Sequence, residues 1–412
     1  MSASRDATIR QCAVLVGGLG TRLGALAAET PKPMLEVGGK PFLFWLLREL
    51  SRFGVEEALL LTGHLSERVA AGVRGIAEML PRRMAIEILE EPARAGTGGA
   101  LFYARDRLHD RFLVCNGDSL LDANLADLLA AGQRDPPEVL GRLLLRRMAD
   151  TSRCGVARTD GDRITAFHES GATVGPRLIN AGITLLDRRV LDEVTGVCSL
   201  EADILPRLAA HGALRGTPTD GWFIDIGVPD DLARARRDLA PRMCRPAVFL
   251  DRDGTINVDH GWVGARDRFE WIDGAREAIR MATEAGRHVF IVTNQSGVAR
   301  GHYDEAAVAA LHAWLADEVR RAGGTIDDLR YCPDHPEALL PAYRRLTDWR
   351  KPGAGMILDL MRAWDVDPAH SFMVGDQPSD LAAAETAGIA GHRFTGGNLA
   401  HFIAPLLAGP PT

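Results

Sequence analysis

No CxxC pair occurs among the six cysteines of this chain (Cys12, Cys115, Cys154, Cys198, Cys244 and Cys332). That absence argues against a disulfide framework and a zinc knuckle, and it leaves most of them as small buried hydrophobes. Long apolar runs are missing too, since nothing approaches the roughly 20 residues of a membrane-spanning helix. The opening stretch MSASRDATIRQCAVLVGG lacks the charged, apolar and small-residue order of a signal peptide, so a soluble cytoplasmic protein is expected. Strong charge of one sign is absent. A net charge of -7 over 412 residues gives no electrostatic reason to expect nucleic acid or an anionic membrane, so any phosphate must be handled locally. The chain also has no GxxxxGK[ST] loop, because GGKP at 38 to 41 places Pro41 where the metal-binding hydroxyl belongs, and the stretch reads as a turn. No internal repeat and no feature favouring a particular oligomeric state is present.

What is present is length and ordinary globular composition. At 412 residues, 46% apolar and 25% charged, the chain exceeds one hydrophobic core, and about two to three domains are expected. Short apolar runs alternate with helix-length amphipathic stretches in CAVLVGG (12 to 18), EALLLTG (57 to 63) and RFLVCNGD (111 to 118), the pattern of an α/β sheet. The pattern restarts in AVFLDRD (247 to 253), HVFIVTN (288 to 294) and SFMVGD (371 to 376), after the charged stretch PDDLARARRDLAPRMCRP. Two Rossmann-like α/β domains follow, residues 1–240 and 241–412. Ligands of open α/β sheets sit beyond the carboxyl ends of the strands. Those ends carry glycines in one half and aspartates in the other, so two different sites are implied.

In the second half, Asp251, Thr293, Lys351 and Asp376 arrive in the order that phosphoryl transfer through an aspartyl-phosphate needs. Asp251 would be the nucleophile, and Asp253 the acid that protonates the leaving oxygen and then activates water. Thr293, with Asn294 beside it, and Lys351 would hold the phosphoryl oxygens. Asp251, Asp253 and Asp376, with Asp380 four residues on, would hold a Mg²⁺ ion whose charge makes the paired aspartates tolerable. DRDGTIN, TNQSGVARGHY, RKPGAGM and VGDQPSD resemble the haloacid dehalogenase superfamily, in particular its D,D-heptose 1,7-bisphosphate phosphatase branch, over roughly residues 246 to 395. The resemblance implies a parallel sheet with a minimal cap, and contacts from Arg300 and Arg350 to the second phosphate of the sugar.

The first half opens with LVGGLGTRLGALAAETPKPML. Its glycines let backbone N–H groups approach a triphosphate, while Arg22 and Lys32 can neutralise charge as pyrophosphate leaves. Asp118 and Asp225 each end an apolar run and can hold a Mg²⁺ ion between an α-phosphate and an incoming sugar phosphate. Together, PKPM, GTGGAL, NGDS and FIDIG resemble the sugar-1-phosphate nucleotidyltransferases, most of all the D,D-heptose 1-phosphate guanylyltransferases, over about residues 10 to 238. The resemblance implies a GT-A-like mixed sheet. It further implies phosphate binding by Gly17, Gly18, Gly20, Thr21, Arg22 and Lys32, a base and ribose near Gly96, Thr97, Gly98 and Gly99, and a sugar facing Glu169, Asn180 and Gly182. Where the family has lysine after that glutamate, this chain has Ser170, and Arg177 is a basic group that could substitute.

The product of the second half, heptose 1-phosphate, is the substrate of the first. The expected enzyme therefore removes the C7 phosphate of heptose 1,7-bisphosphate and transfers GMP from GTP to the product, with Mg²⁺ at both sites. Base and sugar choice depend on pocket shape. Mannose 1-phosphate or ATP in the first site, histidinol phosphate in the second, or a sensing or scaffolding first half stay open as alternatives. The phosphatase branch commonly carries zinc in a loop reading CPHHP then CxCRKP. Here the loop is CPDHPEALLPAYRRLTDWRKP, keeping only Cys332 and His335, against about four ligands for a closed site. No structural zinc is expected, the loop being held by Trp349, Tyr343 and Leu346 and an Asp348–arginine pair.

Overall fold

The computed structural model describes residues 8–18, 20–148, 156–168, 177–194 and 196–408, and the chain divides into two units, Met1–Pro241 and Arg242–Thr412. Glu169 and Ser170 lie outside the described residues.

The first unit holds β1 (Gln11–Leu15), the short hairpin β2 (Glu36–Val37) and β3 (Lys40–Pro41), β4 (Glu57–Thr62), β5 (Ala85–Glu90), β6 (Arg111–Asn116) and β7 (Ser119–Asp122). It continues with β8 (Gly141–Met148), β9 (Val156–Asp160), β10 (Arg163–His168), β11 (Arg177–Asp187), β12 (Leu214–Thr219) and β13 (Trp222–Asp225). Nine of these strands form one sheet in the order β5-β4-β1-β6-β11-β8-β12-β10-β9. The four from β5 to β6 run parallel, as apolar runs joined by helices require. β11 runs antiparallel to both β6 and β8, which makes the sheet mixed. β7 and β13 pair separately and set Ser119 opposite Asp225.

The second unit has β14 (Arg245–Leu250), β15 (His288–Asn294), β16 (Asp328–Cys332), β17 (Val366–Gly375) and β18 (Ala390–Arg393), in the order β16-β15-β14-β17-β18 and all parallel. Side chains of a strand alternate between faces, and β14 feeds two cores accordingly. Val248 and Leu250 pack with the helix Ala275–Glu284, and Ala247 and Phe249 with the helix Gly355–Trp364. Leu250 stands level with Ile291 of β15 and Val374 of β17, which brings the ends of the three central strands side by side. Between β14 and β15 the only regular elements are a 3₁₀ turn (Arg266–Arg268) and the helix Ala275–Glu284, so no cap domain is inserted. Among the described residues no helix is long and apolar enough to cross a membrane.

Candidate active sites

In the second unit the strand ends and the loop before helix Gly355–Trp364 converge on a cavity of about 250 Å³. Asp251 and Lys351 are buried, with Lys351 Nζ 2.7 Å from Asp251 Oδ1 and 2.7 Å from Asp380 Oδ1; it also donates to the Val292 carbonyl at 2.8 Å. Burial pushes the Asp251 carboxyl up to about 7 against the pull of Lys351, with Asp380 and Asp253 adding to the rise. Burial opposes the charge on Lys351, but Asp251 and Asp380 outweigh it and hold the ammonium above its ordinary value.

Asp251, Asp376 and Asp380 each offer an oxygen within 4.8 Å of the others. Asp376 Oδ1 is buried without a hydrogen-bond partner among the described residues, and burial raises its carboxyl. An acceptor in that state suits a hard cation with oxygen ligands. Asp380 is held there by helix capping: its Oδ2 accepts from the Gln377 backbone at 3.0 Å, closing a capping box at the start of helix Pro378–Thr386. Gly254, at φ 84°, passes so close that a Cβ would lie 2.5 Å from Asp376 Oδ2; a side chain there would displace the carboxylate.

The side chain of Asp253, also expected among the ligands with Asp251, Asp376 and Asp380, is not part of this triad. Its oxygens are taken by protein donors: Arg252 at 2.9 Å to each, Asn257 at 2.9 Å and Gln295 at 2.9 Å. Arg252 is fully buried, so a guanidinium lies against the carboxylate next to Asp251. Gln295 also donates to Thr293 Oγ1 at 2.9 Å and accepts from the Tyr303 hydroxyl at 2.8 Å. Sequence reasoning missed both, although they lie inside the quoted TNQSGVARGHY.

Asn294 lines the cavity with its amide committed, donating to the Lys351 carbonyl at 3.1 Å and accepting the Lys351 N–H at 3.1 Å. It therefore holds the backbone of the lysine. Arg300 and Arg350 sit close enough for the Arg300 charge, after burial, to lower Arg350 from its ordinary value. Neither is among the residues lining the cavity around Asp251. The loop between β16 and Lys351 packs through Trp349 as expected but not through Leu346 or an Asp348–arginine pair. Leu346 is 89% exposed, and the ion pair is Asp334–Arg345 at 2.8 Å. Glu305 accepts from the hydroxyls of Tyr331 at 2.6 Å and Tyr343 at 2.9 Å, and the Trp349 indole donates to the Tyr331 carbonyl at 3.0 Å.

In the first unit Gly17, Gly18, Lys32, Gly96, Thr97 and Asp118 line a cavity of about 470 Å³. Lys32 Nζ lies 3.0 Å from Asp118 Oδ2. The Asp118 carbonyl accepts from Ile226 at 2.9 Å, which brings Asp225 alongside. Burial and the Asp118 charge raise the Asp225 carboxyl, with Lys32 and Arg22 pulling it down. Gly20 (φ 67°), Thr21 and Arg22 are not cavity-lining residues.

Only two of the four GTGG residues reach the cavity. The N–H groups of Gly98 and Gly99 point to the Cys198 carbonyl at 3.0 and 3.4 Å, and a Cβ on Gly98 would meet Cys198 Sγ at 2.7 Å. These two glycines, expected near base and ribose, are closely packed here and do not line the cavity. The Thr97 hydroxyl donates to Glu201 Oε2 at 2.8 Å. Gly182, at φ 77°, donates to Asn180 Oδ1 at 3.1 Å, and a Cβ there would lie 3.0 Å from Nδ2 of Asn116, which lines the cavity. Glu91 and Glu201 also line it. Glu91 lies just upstream of the quoted GTGGAL, whereas Glu201 carried no signal because it joins Thr97 from 104 residues away.

Residues 12–242 match the family model described as nucleotidyl transferase, and residues 348–399 match a HAD-hydrolase-like model. The chain is 52% identical over 168 residues, 41% of its own length and 92% of the other, to D-glycero-beta-D-manno-heptose-1,7-bisphosphate 7-phosphatase of Rhodopseudomonas palustris. The protein of that name from Escherichia coli K12 is 44% identical over 144 residues, 35% of this chain and 75% of that one. A crystal structure of HddC from Yersinia pseudotuberculosis covers 56% of this chain and 100% of its own, with 26% identity and a TM-score of 0.49.

Proposed function

Because the chain belongs to the nucleotidyl transferase family over its first half and to that of the D-glycero-beta-D-manno-heptose-1,7-bisphosphate 7-phosphatases over its second, we propose that it is a bifunctional enzyme of heptose activation. Its second unit hydrolyses the C7 phosphate of heptose 1,7-bisphosphate, and its first transfers GMP from GTP to the resulting heptose 1-phosphate. The GDP-heptose formed in the cytoplasm serves as a glycosyl donor for lipopolysaccharide or S-layer glycan.

The observation that carries the phosphatase reading is the buried Lys351 ammonium bridging Asp251 and Asp380 at 2.7 Å each. Asp251 attacks phosphorus and becomes an aspartyl-phosphate while the bond to O7 breaks; Asp253 donates the proton that O7 takes up. Asp253 then accepts a proton from the water that hydrolyses the aspartyl-phosphate, regenerating both carboxyl groups. Gln295, bonded to Asp253 and Thr293, keeps the acid beside the phosphoryl-binding hydroxyl. Mg²⁺ at Asp251, Asp376 and Asp380 would keep Asp251 ionised and offset the phosphate charge. In the first unit Lys32 and Arg22 face the triphosphate as the sugar phosphate oxygen attacks the α-phosphorus and pyrophosphate leaves. Asp118 and Asp225 suit a second Mg²⁺, which would orient that attack. Asn180 and Gly182 contact the sugar, joined by Glu169.

Incubation with Mg²⁺, heptose 1,7-bisphosphate and each NTP in turn, following phosphate, pyrophosphate and nucleotide sugar separately, tests both halves. Phosphate release without nucleotide is expected, as are pyrophosphate and nucleotide sugar with GTP. No phosphate overturns the phosphatase reading, no pyrophosphate with any NTP overturns the transferase reading, and pyrophosphate with ATP reassigns the base.

A further inference from the structure

Lys351 lies against two of the three clustered carboxylates of the second unit, Asp251 and Asp380, while Asp376 makes no ion pair among the described residues. Asp376 follows the last residue of β17, where the chain leaves the sheet, and the terminal torsion of an aspartate is broad. Three contacts fix it. Arg393 Nε, from β18, donates to the Asp376 carbonyl at 3.1 Å, and Gln377 Nε2 donates to Asp376 Oδ2 at 2.5 Å. The Gly254 backbone lies against the same oxygen, since a Cβ there would stand 2.5 Å from it. Oδ1 is left over, buried and unpartnered among the described residues, on a carboxylate whose cluster with Asp251 and Asp380 spans only 4.8 Å.

Gln377 therefore touches two members of the cluster. Its backbone N–H goes to Asp380 Oδ2 at 3.0 Å, and its side-chain amide goes to Asp376. The side chain is exposed at the rim of the cavity around Asp251, where a glutamine amide would ordinarily be left to water. Ordering it on a carboxylate costs rotamer freedom. An amide is also the suitable kind of donor here, because it fixes one oxygen of an anion without setting a positive charge against a cation on the other.

We infer that Gln377 is a positioning residue for the cation of the second unit: its amide holds Asp376 Oδ2 so that Oδ1 is presented to Mg²⁺ together with Asp251 and Asp380. The inference rests on the phosphatase reading above and adds to it a residue that acts through a ligand. Groups that orient a metal ligand from behind typically change metal affinity about 10- to 100-fold when removed.

The test measures Mg²⁺ binding to the full chain by calorimetry in wild type, Gln377→Ala, Gln377→Met and Asp376→Ala, and phosphate release from heptose 1,7-bisphosphate against Mg²⁺ concentration. Binding that survives in Asp376→Ala belongs to other sites and is subtracted. Gln377→Ala is expected to weaken the remaining binding about tenfold and to raise the Mg²⁺ needed for half-maximal phosphate release by a similar factor, with kcat at saturating Mg²⁺ changing less. Gln377→Met keeps the length without the donor, so it should show the same loss. Both variants keep the backbone N–H that caps Asp380, and their metal-free thermal midpoints should stay near that of wild type. Wild-type affinity in either variant, or a fall in kcat at saturating Mg²⁺ with affinity unchanged, overturns the inference. A wild type that neither binds Mg²⁺ beyond Asp376→Ala nor releases phosphate would instead sink the phosphatase reading, and the role of Gln377 with it.

Discussion

Asp253 is hydrogen-bonded by Arg252, which is buried against it, and Arg252 in turn donates to His312 Nε2 at 3.1 Å. His312 is buried, with Nδ1 unpartnered among the described residues; burial and the Arg252 charge lower its pKa from 6.5 to about 3. The folded protein therefore keeps this ring neutral, while the unfolded chain protonates it below about pH 6.5. Protons bound only by the unfolded state draw the equilibrium towards it, so stability should fall with pH below 6.5, by about 1.4 kcal/mol per unit from this one group. Between pH 6.5 and 5 that is about 2 kcal/mol. Urea unfolding over this range should show a shallower loss in His312→Gln, whose amide oxygen can still accept from Arg252; the same slope in both proteins would contradict the assignment.

Among the elements, the loop from Cys332 to Lys351 delivers Arg350 and Lys351. Its shape depends on one carboxylate in the first turn of helix Glu305–Arg321, where Glu305 accepts from both Tyr331 and Tyr343. Asp334 adds its ion pair to Arg345, and its carbonyl accepts from Arg350 at 3.3 Å. Hydrogen bonds to a charged acceptor contribute about 1.5–3 kcal/mol each. Glu305→Ala should cost about 1–3 kcal/mol in denaturant unfolding and raise KM for the bisphosphate several-fold while kcat changes less. Glu305→Gln, which keeps an acceptor, should fall between. A parallel loss of kcat and kcat/KM would mean that the loop acts on the chemistry and not on binding.

For the whole molecule the governing feature is that each unit carries its own charged centre, Lys32–Asp118 in one and Lys351–Asp251–Asp380 in the other. Asp251→Asn replaces the nucleophile with a neutral amide and should reduce phosphate release by more than about a hundredfold, leaving nucleotidyl transfer from supplied heptose 1-phosphate within about twofold. Asp225→Ala should do the reverse. Equal loss of both activities in either variant, measured as phosphate and pyrophosphate on the same preparation, would contradict two separate sites.

Asp251, Thr293 and Asp376 were legible in the sequence because strands of a parallel sheet end on one edge, and an apolar run closing on a polar residue marks that edge wherever it occurs. The registers of Leu250 with Ile291 and Val374 make the three ends neighbours. Gly17, Gly18 and Asp118 followed from the same reasoning in the mixed sheet. Glu169 falls outside the described residues. Only the tertiary structure showed that oxygens of Asp251, Asp376 and Asp380 lie within 4.8 Å of one another. It alone showed Gln295 and Tyr303 bracing the acid, Gly98 packing on Cys198 and Gly99 on Ala95, and Glu201 reaching the first cavity. These depend on side-chain direction and on contacts between segments far apart in the chain. Neither leaves a local pattern, because a residue's type limits which partners it can take while the folded backbone determines which partner it meets.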